Sequence, residues 1–178
     1  MSLKYRVGDL ITAASSLEVN VIGHCCNCFN TMKSGIAPLI AKEFPSAYQA
    51  DQLTRKGDID KLGRYSLGKH VKNEGTLFTS TGTLFIYNLY GQYSFGTDRQ
   101  HLNYKALRNS LRLMCDDLNF TVRDNPPKIG FPKIGAGLAG GDWNIIEQII
   151  EEELVAMGYC VTIYVLEENE IPTGETVI

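Results

Sequence analysis

The sequence predicts an α/β fold with a mixed, largely parallel central sheet. Predicted strands alternate with predicted helices along the 178 residues, which is typical of a sheet covered by helices. A glycine-rich turn at 135–141 joins a short apolar strand at 128–132 to a helix that begins at about Asp142. This arrangement presents backbone N–H groups and a helix N-terminus to a phosphate. The turn is therefore predicted to form the floor of a phosphate or diphosphate site.

The first half of the chain predicts two strands and two helices. Residues 4–7 form the first strand, and the apolar run 19–25 forms a second, buried one. Ile36, Leu39, Ile40 and Phe44 recur at helical spacing and predict a helix over 35–44, which Pro45 ends. A second short helix is expected over 46–55, followed by a loop at 57–63.

The rest of the chain predicts four strands, including the one at 128–132, and two helices. Residues 66–71 and 83–89 flank a turn at 73–75, and a long loop covers 88–100. An amphipathic helix spans 103–118, and the last strand spans 160–166. Between them lies the glycine-rich turn and then the final helix, whose apolar positions recur at helical spacing: Ile146, Ile149, Ile150, Leu154 and Met157.

Size and composition predict one domain, residues 1–178, in a cytoplasmic protein. The net charge of −3 argues against a basic surface for nucleic acid, and no apolar run reaches the length of a membrane span. The five cysteines lack zinc-site spacing, so they are expected to be reduced structural thiols without a metal or cofactor.

The glycine-rich turn also matches a dinucleotide-binding pattern through Gly135, Gly137 and Gly140. That pattern belongs in the first βαβ unit of a Rossmann fold, with more sheet after it. Here only one predicted strand follows, so an oxidoreductase is disfavoured. In open α/β sheets ligands bind beyond the carboxyl ends of the strands. Residues 24–27, 88–92 and 134–142 all lie there, and we expect them to share one crevice.

Several short motifs, taken together and in order, resemble a macro domain. They cover residues 4–167 and are Gly8-Asp9-Leu10, Asn27, the segment 32–37, the segment 132–138 and Trp143. The branch that they resemble contains the ADP-ribose-1''-phosphate phosphatases and the terminal ADP-ribose protein glycohydrolases. The resemblance implies a three-layer α/β/α fold that binds ADP-ribose or a derivative of it.

The resemblance also implies roles for individual residues. Asp9 would accept a hydrogen bond from the adenine amino group, Leu10 would line the same pocket, and Asn27 would hold the distal ribose. Gln92 would lie near that ribose. Two loops would hold the diphosphate through backbone N–H groups rather than lysines: Ser34, Gly35 and Ile36 in the first, and Gly135, Ala136, Gly137, Leu138, Ala139 and Gly140 in the second.

The sequence departs from the glycohydrolases at two positions. Their catalytic lysine and aspartate correspond to Gln92 and Ala139, so a covalent lysine mechanism is disfavoured. The remaining candidates for acid–base chemistry are His24 and Asp142, with Asn27 orienting the ribose. Each has a structural alternative, since His24 ends a buried strand and Asp142 is well placed to cap a helix.

The expected activity is therefore hydrolysis of ADP-ribose-1''-phosphate to ADP-ribose and phosphate. Two alternatives stay open on the sequence alone. One is an ADP-ribosyl hydrolase that acts on ADP-ribosylated protein or O-acetyl-ADP-ribose, and the other is a non-catalytic ADP-ribose reader.

Overall fold

A computed structural model describes residues 3–72, 82–121 and 126–178. Its main elements, in chain order, are β1 (Lys4–Val7), α1 (Leu10–Ser15), β2 (Val21–Asn27), α2 (Ala37–Glu43), α3 (Pro45–Gln52), β3 (Tyr65–Lys72), β4 (Gly82–Gln92), α4 (Tyr104–Thr121), β5 (Lys128–Phe131), α5 (Trp143–Ile150) and β6 (Cys160–Val165). Short 3₁₀ turns lie at Ile59–Lys61 and Glu168–Glu170, and α5 continues as a π turn at Glu151–Val155.

The strands form one mixed sheet in the order β1-β6-β5-β2-β4-β3. Every neighbouring pair is parallel except β3 and β4, which are antiparallel. Parallel order places the carboxyl ends of β2, β4 and β5 side by side, and the polar residues that follow these strands meet at that edge.

Helices cover both faces of the sheet, which confirms the predicted α/β/α layers. On one face, buried side chains of α1, α2 and α3 pack against β2 and β4 through residues such as Leu10, Ile40 and Ile86. On the other face, α4 and α5 bury Leu107, Ile146 and their neighbours against the sheet. A strand that is buried on both faces reads as an apolar run, which explains the pattern of β2.

The structure corrects the sequence prediction in several details. Residues 10–15 form α1, which was not predicted, and β2 lies two residues later than expected. Strand β4 continues to Gln92, which pairs with Asn27, so the loop expected from residue 88 begins only after Gln92. Met157 is 65% exposed and does not join the core. The turn predicted at 73–75 lies outside the described residues.

The length and hydropathy of the helices decide whether any of them could cross a membrane. Across residues 3–72, 82–121 and 126–178, no helix is both long enough and apolar enough to cross a membrane. The longest helix, α4, has one apolar side facing the sheet and one polar side.

Candidate functional site

Two adjoining cavities lie at the carboxyl edge of the sheet. The first has a volume of about 390 Å³ and lies beyond β2, β4 and β5. The second, of about 290 Å³, lies beyond β1 and β6. Four residues line both cavities, and we call them the seam: Gly35, Ile36, Pro132 and Lys133. Together the cavities form one elongated crevice of a size typical for small-molecule ligands.

Asp9 provides the polar edge of the second cavity, whose other walls include Leu10, Tyr164 and Leu166. Its side chain caps α1 by accepting hydrogen bonds from Ile11 N at 3.3 Å and from Thr12 N at 3.0 Å. The Thr12 hydroxyl donates a further bond and, with the backbone bonds, lowers the pKa of Asp9 below its usual value. An ionised acceptor beside apolar walls suits a flat ring that carries an amino donor.

Two loops meet at the seam. The first loop comprises residues 32–36, and the second loop comprises residues 133–141. The second loop turns back on itself, because Gly141 N donates to Gly135 O at 2.9 Å and Gly140 N donates to Gly137 O at 3.0 Å. Gly135 and Gly140 have φ of 72° and 75°, values that favour glycine.

Gly137 differs from these glycines in its surroundings. A Cβ atom added there would meet no protein atom within 4 Å, and its φ is not in the left-handed region. Gly137 also lines the first cavity. The space beside its Cα is therefore free for a ligand.

His24 lies at the deep end of the first cavity and is 1% exposed. Its Nε2 lies 2.7 Å from Asn88 Oδ1. The Asn88 amide nitrogen donates to Ala47 O at 2.8 Å and to Ser66 Oγ at 2.9 Å, so the Asn88 oxygen faces the ring. Nε2 therefore carries the proton and Nδ1 is an acceptor. Burial lowers the pKa of His24 to about 4, so the ring is neutral at pH 7.

A buried ion pair lies beside His24. Asp51, which also lines the first cavity, is 1% exposed and accepts a hydrogen bond from Tyr90 OH at 2.8 Å. Lys61 Nζ lies 4.0 Å from Asp51 Oδ1 and donates to Asn30 Oδ1 at 2.6 Å. Burial raises the pKa of Asp51 and lowers the pKa of Lys61. The opposite charges of Asp51 and Lys61 compensate each other.

The clustered cysteines are thiols rather than nucleophiles. Burial raises the pKa of Cys25 to about 12 and that of Cys28 to about 11, and it raises the pKa of Cys26 strongly. A protonated thiol is a weak nucleophile at neutral pH. Among the residues that the structure describes, no three His, Cys, Asp or Glu side chains are arranged to hold a metal ion.

A third segment completes the wall of the first cavity through Phe95, Gly96 and Thr97. The His101 ring forms hydrogen bonds within this segment. Its Nε2 lies 2.8 Å from Asp98 Oδ1, and its Nδ1 lies 3.1 Å from Ser94 Oγ. The backbone N–H of His101 also donates to Ala139 O at 2.9 Å. The segment is therefore tied to the second loop.

Comparison with known proteins assigns the family. No family model matches the chain. An uncharacterized 17.5 kDa protein from the tk-vs intergenic region of enterobacteria phage T4 is 38% identical over 153 residues, which is 85% of this chain and 89% of the phage protein. The ADP-ribose 1''-phosphate phosphatase of Debaryomyces hansenii is 29% identical over 169 residues, covering 84% of this chain and 93% of the yeast protein.

Among solved structures, a macrodomain protein from Streptomyces coelicolor superposes with a TM-score of 0.63. It is 21% identical and covers 92% of this chain and 99% of its own. The chain has the macrodomain fold. It belongs to one family with the phage T4 protein, and the resemblance stated from the motifs is confirmed.

Most of the predicted ligand-binding residues of the macro domain line the crevice. In the second cavity these are Asp9 and Leu10, together with Gly35 and Ile36 of the seam. The predicted residues that line the first cavity are His24, Asn27, Ser34, Gly35, Ile36, Gln92, Gly135, Gly137, Leu138 and Ala139. The structure therefore brings residues from the end of β2, the end of β4 and the second loop into one crevice, as expected.

Asp142 is not among the residues that line either cavity. It precedes α5, where its carboxylate accepts a hydrogen bond from Asn144 N at 2.9 Å, and its own N–H donates to Tyr104 OH at 2.9 Å. The N-terminal cap is therefore the role that this geometry supports. Ala136 and Gly140 also lie outside the cavity walls, because they form the turns of the second loop.

Several residues of the crevice were not predicted from the sequence. Lys33 lines the first cavity, and Lys133 belongs to the seam, so two lysines lie beside the loops that were expected to hold the diphosphate through backbone N–H groups. Asp51 and Phe95 reach the cavity from α3 and from the 93–100 segment. Lys33 and Lys133 lie within the motif segments 32–37 and 132–138 but were given no role there, whereas no local pattern marks Asp51 or Phe95.

Proposed function

We propose that this macro domain binds ADP-ribose and hydrolyses ADP-ribose-1''-phosphate to ADP-ribose and phosphate. The proposal agrees with the activity for which its yeast relative, 29% identical, is named. It also agrees with the shape of the crevice, in which two cavities are joined by a glycine-lined seam.

The joined cavities are the observation that carries the proposal. Adenine would occupy the second cavity, with its amino group toward Asp9 and its ring against Leu10. The diphosphate would cross the seam between Ser34–Ile36 and the second loop. The distal ribose would then occupy the first cavity near Asn27 and Gln92. A ligand with a base, a diphosphate and a second sugar has the length and polarity that this crevice needs.

The chemistry would take place at the deep end of the first cavity. A water molecule attacks the phosphorus and loses a proton, the P–O1'' bond breaks, and the sugar oxygen leaves and takes up a proton from solvent. His24 is our candidate for holding the attacking water, since its Nδ1 is an acceptor and its Nε2 is engaged with Asn88. A neutral imidazole can take up the proton that the water loses. Asn27 would orient the ribose.

Calorimetry and a phosphate assay test the proposal. Wild type is expected to bind ADP-ribose and to release phosphate from ADP-ribose-1''-phosphate. The matched variant is His24→Gln, whose amide nitrogen can replace the Nε2 donor but which has no imidazole base. We expect it to bind ADP-ribose and to lose roughly a hundredfold in turnover, the usual size of an acid–base contribution.

The alternatives have their own outcomes. Release of ADP-ribose from modified protein or from O-acetyl-ADP-ribose, without phosphate release, would favour an ADP-ribosyl hydrolase. Binding of ADP-ribose without turnover of any of these substrates would favour a reader. Failure of wild type to bind ADP-ribose would contradict all three functions.

A further inference from the structure

Lys133 stands out among the residues of the seam. It is half-buried, lines both cavities and is the first residue of the second loop. The other lysine of the crevice, Lys33, is exposed and lines the first cavity alone. Three carboxylates also line the crevice, those of Asp9, Asp51 and Glu170. A cation at the junction of the cavities is therefore unusual in this acidic protein.

The position of Lys133 is fixed by an aromatic ring rather than by a carboxylate. Its Nζ lies 5.5 Å from the centroid of the Trp143 ring, within the range of a cation–π interaction. Within residues 3–72, 82–121 and 126–178, no ion pair involves Lys133. Because a ring face leaves the ammonium donors largely unused, the charge remains available to an anion.

The side chain of Trp143 is held in place by hydrogen bonds. Its indole N–H donates to Tyr5 OH at 2.8 Å, and that hydroxyl donates to Glu147. Tyr5 is fully buried in β1, and Glu147 lies one turn further along α5. The Trp143 ring is therefore anchored between the sheet and α5, which makes it a rigid support for the lysine.

We propose that Lys133 is a diphosphate-binding residue and that Trp143 is the positioning residue that holds it at the seam. This inference rests on the proposed function, since it places the diphosphate of ADP-ribose between the two loops. The backbone N–H groups of the loops orient the oxygens, and Lys133 supplies the positive charge. The tryptophan that follows the second loop thus serves ligand binding without touching the ligand.

The charge of Lys133 gives the first test. Calorimetry compares wild type, Lys133→Gln and the control Lys105→Gln, with ADP-ribose and with adenosine; Lys105 is exposed on α4 and lines neither cavity. A charged hydrogen bond contributes roughly 1.5 to 3 kcal/mol, so Lys133→Gln should weaken ADP-ribose binding about tenfold to a hundredfold. Adenosine binding, followed by NMR, should not change. Lys105→Gln should alter ADP-ribose binding by less than about threefold, as expected of an exposed charge outside the crevice.

The ring of Trp143 gives the second test. Trp143→Phe keeps an aromatic face but loses the indole N–H, whereas Trp143→Leu loses the face. A cation–π interaction of about 0.5 to 1 kcal/mol predicts a twofold to fivefold loss of ADP-ribose affinity for Trp143→Leu and a smaller one for Trp143→Phe. In Lys133→Gln the two Trp143 variants should be equivalent, because the cation is absent. This coupling separates positioning from a general loss of stability.

Three results would overturn the inference. The first is unchanged ADP-ribose affinity in Lys133→Gln, and the second is an equal loss for adenosine and ADP-ribose. The third is a Trp143→Leu effect that persists in the Lys133→Gln background. In each case wild-type binding of ADP-ribose would leave the proposed function intact, whereas absence of wild-type binding would overturn both.

Discussion

The buried imidazole of His24 should make the stability of this macro domain depend on pH. Burial lowers the pKa of His24 to about 4 in the folded chain, against an ordinary value of 6.5, so the unfolded chain binds a proton more readily than the folded one. Stability is full above pH 6.5 and falls as pH falls toward 4. A difference of about 2.5 pKa units corresponds to a total loss of about 3 kcal/mol, of which about 2 kcal/mol is lost between pH 7.5 and pH 5.

Urea denaturation at a series of pH values measures this loss. The comparison is with His24→Gln, which keeps a donor toward Asn88 but does not titrate. Carboxylates and the other two histidines contribute equally to both proteins, so the difference between their free energies of unfolding isolates His24. The free energy of unfolding of wild type, measured relative to that of His24→Gln, should fall by about 2 kcal/mol between pH 7.5 and pH 5. A constant difference, or an NMR titration of His24 near pH 6.5, would refute the assignment of a neutral, desolvated ring.

Three further predictions concern the crevice. Gly137→Val should abolish ADP-ribose binding yet melt near the wild-type temperature, because its side chain enters free space beside the ligand; normal binding would show that the ligand does not approach Gly137. Asp9→Ala should weaken ADP-ribose binding about tenfold or more, and Asp9→Ser should do the same while preserving the cap of α1; unchanged calorimetric affinity in both variants would exclude Asp9 as the adenine contact. Asp142→Asn should keep both turnover and melting temperature, since asparagine caps a helix as well as aspartate; a hundredfold loss of phosphate release would restore a catalytic role.

The sequence predicts the layers of the fold well because hydrophobic periodicity reports burial. Strand β1 and helix α4 show this, since their side chains meet the core on one side. Helix α1 was missed because it has only six residues, most of them apolar, and so shows no clear helical period. Strand β4 was ended too early because Tyr90, Gly91 and Gln92 look like a turn, whereas their pairing with β2 and the burial of Tyr90 extend the strand.

The sequence predicts the two loops of the crevice better than its deep end. Loop residues such as Gly35 and Gly137 belong to contiguous motifs, so their neighbours in sequence are also their neighbours in space. Asp142 follows such a motif, but the second loop turns back through the bond from Gly141 N to Gly135 O, and the chain then leaves the cavity. Asp51 reaches the cavity only because α3 packs under β4, a contact that no local pattern reveals.

The distribution of charge along the crevice suggests how an anionic ligand would be oriented. At the deep end His24 is neutral and the charges of Asp51 and Lys61 cancel, whether the pair is ionised or has exchanged its proton. In the second cavity Asp9 is ionised and repels phosphate. Lys133 lines both cavities and so lies between these two regions. On the proposed role of Lys133, the phosphates of a ligand would occupy the seam and its two uncharged ends would extend into the two cavities.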